Sequence, residues 1–121
     1  MKSYRRITDH DGMVFSIALS DIINHHSYLA TGGSDYSLFV YQMTVNGVIR
    51  LWNEKSAHMG AVLVLCFGHG DSGSLLFTGG QDAVVKVWDI QSGEMIGELL
   101  SHKERITAIA TSLDGRYVVD D

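Results

Sequence analysis

Residues 74–90 read S-L-L-F-T-G-G-Q-D-A-V-V-K-V-W-D-I, and forty-seven positions earlier residues 27–43 read S-Y-L-A-T-G-G-S-D-Y-S-L-F-V-Y-Q-M. Seven of the seventeen aligned positions are identical, three of them a contiguous T-G-G. Each copy is preceded by H-x-G-x-V, at His10-Gly12-Val14 and His58-Gly60-Val62, and a third start stands at His102 with Ile106 in the Val place. Successive motif histidines lie 48 and 44 residues apart, the longer spacing accommodating the extra N-H-H of 24–26. A period in the forties marks one supersecondary unit repeated along the chain, a unit that buries its apolar faces only by stacking on its neighbours.

Each unit reads as strands. The runs 13–19, 61–67 and 105–111 are apolar at nearly every position, which predicts strands covered on both faces. Alternation still sorts them. Val14, Ser16 and Ala18, Val62, Val64 and Cys66, and Ile106, Ala108 and Ala110 share one side; Phe15, Ile17 and Leu19 with Leu63, Leu65 and Phe67 share the other. A small side and a large side suit wedge-shaped sheets set in a ring. Turn clusters at 24–27, 68–74, 91–93 and 112–115 separate the strands, and no proline interrupts a ladder. The expected count is an outer strand at 3–8, four strands in 13–53, four in 61–100, then 105–111 and 116–119. N-G-V-I-R-L-W-N at 46–53 invites an alternative in which Trp52 ends a third strand and 36–45 is an insertion. His58 would then stand only six positions after Trp52, too close for a further strand and its return, so 46–53 is placed on the outer strand with Trp52 partly exposed.

With His58, T-G-G-Q-D at 78–82 and V-K-V-W-D at 85–89, and the weaker copy His10, T-G-G-S-D at 31–35 and L-F-V-Y-Q at 38–42, the sequence resembles the WD-repeat β-propeller family. The resemblance implies an all-β fold, a partial WD-repeat β-propeller of four-stranded antiparallel blades. It divides residues 1–121 into a degenerate first repeat at 10–57, a second at 58–101 and a truncated third at 102–121. It further implies a structural hydrogen-bond network of His58, Thr78, Asp82 and Trp88, matched in the first repeat by His10, Thr31 and Asp35, with Tyr41 in place of the Trp. Propellers of this family present their loop ends to protein partners, which here singles out Asp11, Ser34, Met59, Gln81, Lys103 and Glu104.

Residues 68–74, G-H-G-D-S-G-S, fit two other signatures, a dinucleotide-binding G-x-G-x-x-G and the G-D-S-G around a protease nucleophile at Ser72. A dinucleotide turn needs a following helix, whereas L-L-F-T repeats as Y-L-A-T and runs as a strand. A nucleophile needs a base and an orienting acid converging on it, and the motif histidines already hold repeat positions. The stretch therefore reads as a turn. His25 and His26 with Asp21 form a metal-like cluster, but adjacent histidines on an extended chain point apart, and His69 with Asp71 is a similar loop pair. No metal and no cofactor is expected.

The formal net charge is −5 and the isoelectric point near 5.6, which argues against nucleic acid and anionic membranes as partners. Cys66 is the sole cysteine, expected as a small buried hydrophobe, and its solitude suits a cytoplasmic or nuclear rather than a secreted protein. The longest apolar run, about eight residues, is short of a membrane span. Three roles remain: a non-catalytic protein-interaction scaffold, which is the leading one; a hydrolase using Ser72; and a purely structural propeller segment. Two repeats and part of a third do not close a ring of about four to eight blades. The chain is therefore expected to be a fragment or truncated form that self-associates or meets the missing blades of a longer propeller.

Overall fold

Each of the first two repeats folds into a four-stranded antiparallel sheet. The computed structural model describes residues 7, 9–22, 26–69 and 74–99, with the backbone of 109–111 and 118–120. In the first sheet β1 (Val14–Leu19), β2 (Ser27–Gly33), β3 (Leu38–Thr44) and β4 (Gly47–Glu54) lie side by side in chain order. The second repeats this with β5 (Val62–Phe67), β6 (Leu75–Gly80), β7 (Val85–Asp89) and β8 (Met95–Leu99). A shorter pair, β9 (Ile109–Thr111) and β10 (Val118–Asp120), follows.

The repetition extends to the irregularities. The register shifts between Val14 and Ser16 and again between Val62 and Val64, then between Val40 and Tyr41 and between Val87 and Trp88. These β-bulges fall at equivalent places and sharpen the twist of each sheet in the same way. After each T-G-G-x-D the chain turns through a non-glycine residue in the left-handed region, Tyr36 at φ 69° and Ala83 at φ 63°.

Between the two sheets lies the core. The first sheet contributes Tyr28, Ala30, Leu38 and Val40, the second Val62, Phe67, Leu76, Trp88 and Ile90, with Ala18, Trp52 and Leu65 packed alongside. Leu65 and Phe67, from the large side of β5, thus meet small residues of the first sheet. The fit is close: a Cβ on Gly32 would stand 2.5 Å from Val62 Cγ1, so glycine at that position lets the sheets approach.

β1 departs from the expectation of cover on both faces. Ala18 of its small side packs on the core between the sheets, but Val14 of that side is 46% exposed, and Phe15, Ile17 and Leu19 of the large side are 45, 65 and 62% exposed. An apolar run shows that a strand tolerates burial on both sides; the described residues supply cover on only one. The expected strand at 3–8 falls almost wholly outside them.

The segment 46–53 does form the outer strand of its sheet, as β4, with Trp52 opposite Val40. The Trp52 indole N–H donates to the Ile90 carbonyl at 2.7 Å, and its ring rests on Gly93, where a Cβ would come within 2.9 Å of it. Trp88 is only 4% exposed, whereas Trp52 is half-buried. Iodide should therefore quench Trp52, observed in Trp88→Phe, much more than Trp88, observed in Trp52→Phe. The reverse order would mean that the two rings have been assigned to the wrong environments.

Candidate functional site

The motif residues are scattered along the sequence and converge at one end of each sheet. In the second sheet His58 precedes β5, Thr78 lies on β6, Asp82 follows β6 and Trp88 lies on β7. Asp82 has no proton to give, so His58 Nδ1–H donates to Asp82 Oδ1 at 2.9 Å and the ring's other nitrogen accepts. Thr78 Oγ1–H donates to His58 Nε2 at 2.7 Å, and Thr78 Oγ1 accepts the Trp88 indole N–H at 2.9 Å. Asp82 also accepts the backbone N–H groups of Met59 and Val84, at 3.0 and 3.3 Å. Every polar atom of the chain Asp82–His58–Thr78–Trp88 has a partner, which is the condition for burying it.

Burial pushes the His58 imidazole below its usual value, against the pull of the Asp82 carboxylate. For Asp82, burial works upward, but the hydrogen bonds from His58 and Met59 outweigh it and hold the carboxyl below the usual range. The pair is thus a neutral imidazole on an ionised carboxylate. Thr78, His58 and Asp82 have the order of a nucleophile, base and orienting acid, yet Thr78 is fully buried and its oxygen is engaged by Trp88, so no substrate carbonyl reaches it.

The first sheet repeats the network with one change. His10 Nδ1 lies 3.0 Å from Asp35 Oδ1 and from Ser37 Oγ, and His10 Nε2 accepts from Thr31 at 2.7 Å. Against the upward effect of burial, hydrogen bonds from Ser37, His10 and the Asp11 backbone hold the Asp35 carboxyl far below its ordinary value. Tyr41, in the tryptophan's place, donates its hydroxyl to Asp9 Oδ2 at 2.7 Å, and burial followed by that carboxylate pushes the phenol above its ordinary value. Arg50 stands 3.5 Å from the other Asp9 oxygen. At the Lys86 place of this sheet is Phe39, edge-on to His10 at 4.7 Å; Lys86 itself donates to the Ala57 carbonyl at 2.6 Å.

The loop end carrying these networks also carries the proposed contact residues, and they divide in two. Ser34 Oγ accepts the Met13 N–H at 2.9 Å, and Gln81 Oε1 accepts the Ala61 N–H at 3.0 Å, so these two side chains brace the motif loop. Asp11 has an exposed side chain, and Met59 is 89% exposed immediately after fully buried His58. Tyr36 was not singled out by the sequence: it is exposed at the same end, with its carbonyl accepting the Ala57 N–H at 2.9 Å. Its left-handed backbone is the feature that marks it, and a sequence without Gly or Asn there hides it. Lys103, Glu104 and His102 lie outside the described residues.

So do Ser72, Asp71 and His25. His69 Nδ1–H donates to Asp21 Oδ2 at 2.7 Å, linking a loop of each sheet. Among the described residues no three His, Cys, Asp or Glu side chains come together as metal ligands. Cys66 is half-buried rather than buried, as are its strand neighbours Leu63, Val64 and Leu65.

The family model described as WD domain, G-beta repeat matches residues 1–42 and 54–89. The LEC14B protein of Lithospermum erythrorhizon is 33% identical over 138 aligned positions, taking in 99% of this chain and 28% of that protein. A LEC14B homolog of Prunus armeniaca is 33% identical over 98 positions, 77% of this chain and 20% of that protein. The ribosome biogenesis protein WDR12 homolog of Chlamydomonas reinhardtii is 31% identical over 125 positions, with coverages of 90 and 27%. The chain thus spans under a third of the length of each of these relatives.

Proposed function

The chain belongs to the WD40-repeat family, and from that premise we propose that it is a non-catalytic protein-interaction module that engages partner proteins through the loop end of its sheets. The observation that carries this reading is Met59, an exposed apolar side chain whose neighbour His58 is locked in the buried network, with Met13 and Tyr36 exposed at the same end. Apolar side chains presented by a rigid frame lose little conformational entropy on binding, and methionine adapts to irregular partner surfaces. Asp11 supplies a carboxylate at the rim. The acidic balance favours proteins over nucleic acid as partners, and no step of this role needs a cofactor. The repeats 10–57, 58–101 and 102–121 are the units of the module, which acts in the cytoplasm or nucleus.

The double variant Met59→Asp, Tyr36→Asp separates this role from a purely structural one. Both side chains are exposed, so the thermal midpoint should change within the range of ordinary surface substitutions, about 0.5 kcal/mol per site. Proteins captured by the unmodified chain from cell extract, once identified and purified, should bind the variant at least about tenfold more weakly, the loss of 1.4 kcal/mol or more expected of a central apolar anchor. Unchanged affinity with an unchanged fold would remove the loop end from the function.

A further inference from the structure

The two repeats differ at one place beside the motif histidine. In the second sheet Lys86, on β7, donates its ammonium to the carbonyl of Ala57, the residue before His58, at 2.6 Å. In the first sheet the repeat equivalents of Lys86 and Ala57 are Phe39 and Asp9. The exchange removes a built-in cation and adds a carboxylate. At that place the first sheet has a cavity of about 300 Å³, lined by Phe39 with Asp9, Asp11 and Asp35, and Lys55 shares the lining.

The carboxylates are unequally used. Asp35 is taken up by His10 and by the backbone N–H groups of Asp11 and Ser37. Asp9 accepts the Tyr41 hydroxyl through one oxygen, and half-exposed Arg50 stands 3.5 Å from the other. Asp11 puts only its backbone N–H into the network, and its exposed carboxylate pairs with no described residue. Among the described residues no three such groups come together as metal ligands. Carboxylates spread around an aromatic wall suit instead a cation on an alkyl stem, whose methylenes cover the ring while its head meets the acids. We propose that this cavity receives a lysine side chain of a partner protein, its ammonium paired with Asp9 and Asp11, supplying from outside the cation that Lys86 supplies within the second sheet. Lysine rather than arginine follows from that internal case, where a compact ammonium meets a single backbone carbonyl. The net charge of −5 favours approach by a basic partner. The inference rests on the loop-end reading and names the chemistry of the partner engaged there.

The test titrates the full chain with N-acetylated, amidated pentapeptides Gly-Ser-X-Ser-Gly, X being lysine, arginine or norleucine, and follows the Phe39 ring signals by NMR. The lysine peptide should saturate at millimolar concentration, and the norleucine peptide should bind at least about tenfold more weakly. Binding should weaken as salt rises from about 0.05 to 0.5 M. Asp9→Asn keeps an acceptor for the Tyr41 hydroxyl while removing the charge. Combined with Asp11→Asn it should weaken the lysine peptide at least about tenfold and leave the thermal midpoint nearly unchanged. Lys55→Met, which removes a like charge from the lining, should strengthen binding, an opposite sign that a merely structural role for these residues does not produce. A lysine peptide that does not bind overturns the proposal, as do equal affinities for lysine and norleucine, tighter binding of the arginine peptide, or affinity indifferent to the two aspartates. A purified partner weakened by Met59→Asp, Tyr36→Asp but not by Asp9→Asn, Asp11→Asn overturns the cavity and leaves the loop-end reading standing. A partner weakened only through the aspartates keeps the cavity and removes Met59 and Tyr36 from that reading.

Discussion

Trp88→Ala is expected to lower stability by about 3–5 kcal/mol, the range for removing a large buried aromatic. The side chain is nearly fully buried between the sheets, so its removal leaves a cavity that Ala18, Ala30 and Val40 are too small to fill. It also withdraws the indole N–H from Thr78, and half-buried Trp52 loses the ring against which it packs. Trp88→Phe separates the contributions: it keeps most of the packing and gives up the hydrogen bond, for a loss of about 1 kcal/mol. Urea unfolding followed by circular dichroism measures both without depending on tryptophan emission. A loss below about 1 kcal/mol for Trp88→Ala would mean that the two sheets are not joined through this residue.

Asp82→Ala should cost about 1–3 kcal/mol at neutral pH, because it deprives His58 Nδ1–H and the N–H groups of Met59 and Val84 of their acceptor. The same network makes stability acid-sensitive. His58 has a folded-state value below its unfolded value of roughly 6.5, so the unfolded chain binds the proton first. Its contribution is complete above that pH and is lost as the pH falls below it toward the folded-state value. Asp82, also lowered, adds a second loss as the pH falls below roughly 3.8. Both signs agree: the urea midpoint should drop steadily from pH 7 to pH 5 and further toward pH 3. A protonated His58 would present N–H groups to both Asp82 and Thr78, whose hydroxyl would lose its acceptor. His58→Gln should lower stability at pH 7 and flatten the decline between pH 7 and 5. A decline of unchanged steepness in His58→Gln would assign the acid sensitivity to other groups.

Repetition made most of the architecture legible. T-G-G at 31–33 and 78–80 places a strand, a close approach and a turn at the same step of two units, and a motif recurring at that spacing has one structural solution per unit. The residues of the networks were legible for the same reason, as were the outer-strand position of 46–53 and the half-exposure of Trp52, which followed from chain length alone. The tyrosine at 41 was visible as a departure, but its acceptor was not. Asp9 stands 32 residues away and reaches Tyr41 only once the motif loop has folded back over the sheet. Tyr36 was invisible as a site, since side-chain identity does not announce a left-handed backbone.

The difference between these cases is one of range. Periodicity, spacing and turn chemistry are properties of neighbouring residues, and they suffice for the strands, their order and the composition of each buried network. What covers a strand is decided by another sheet, and β1 shows the consequence. Its apolar run 14–19 is equivalent to that of β5, yet β5 sets Val62, Leu65 and Phe67 into the core between the sheets while Phe15, Ile17 and Leu19 of β1 remain largely exposed. The sequence of a strand records how much apolar surface it carries; only the packing of sheets, set by contacts between distant residues such as Gly32 with Val62 and Trp52 with Ile90, determines which of that surface is removed from water.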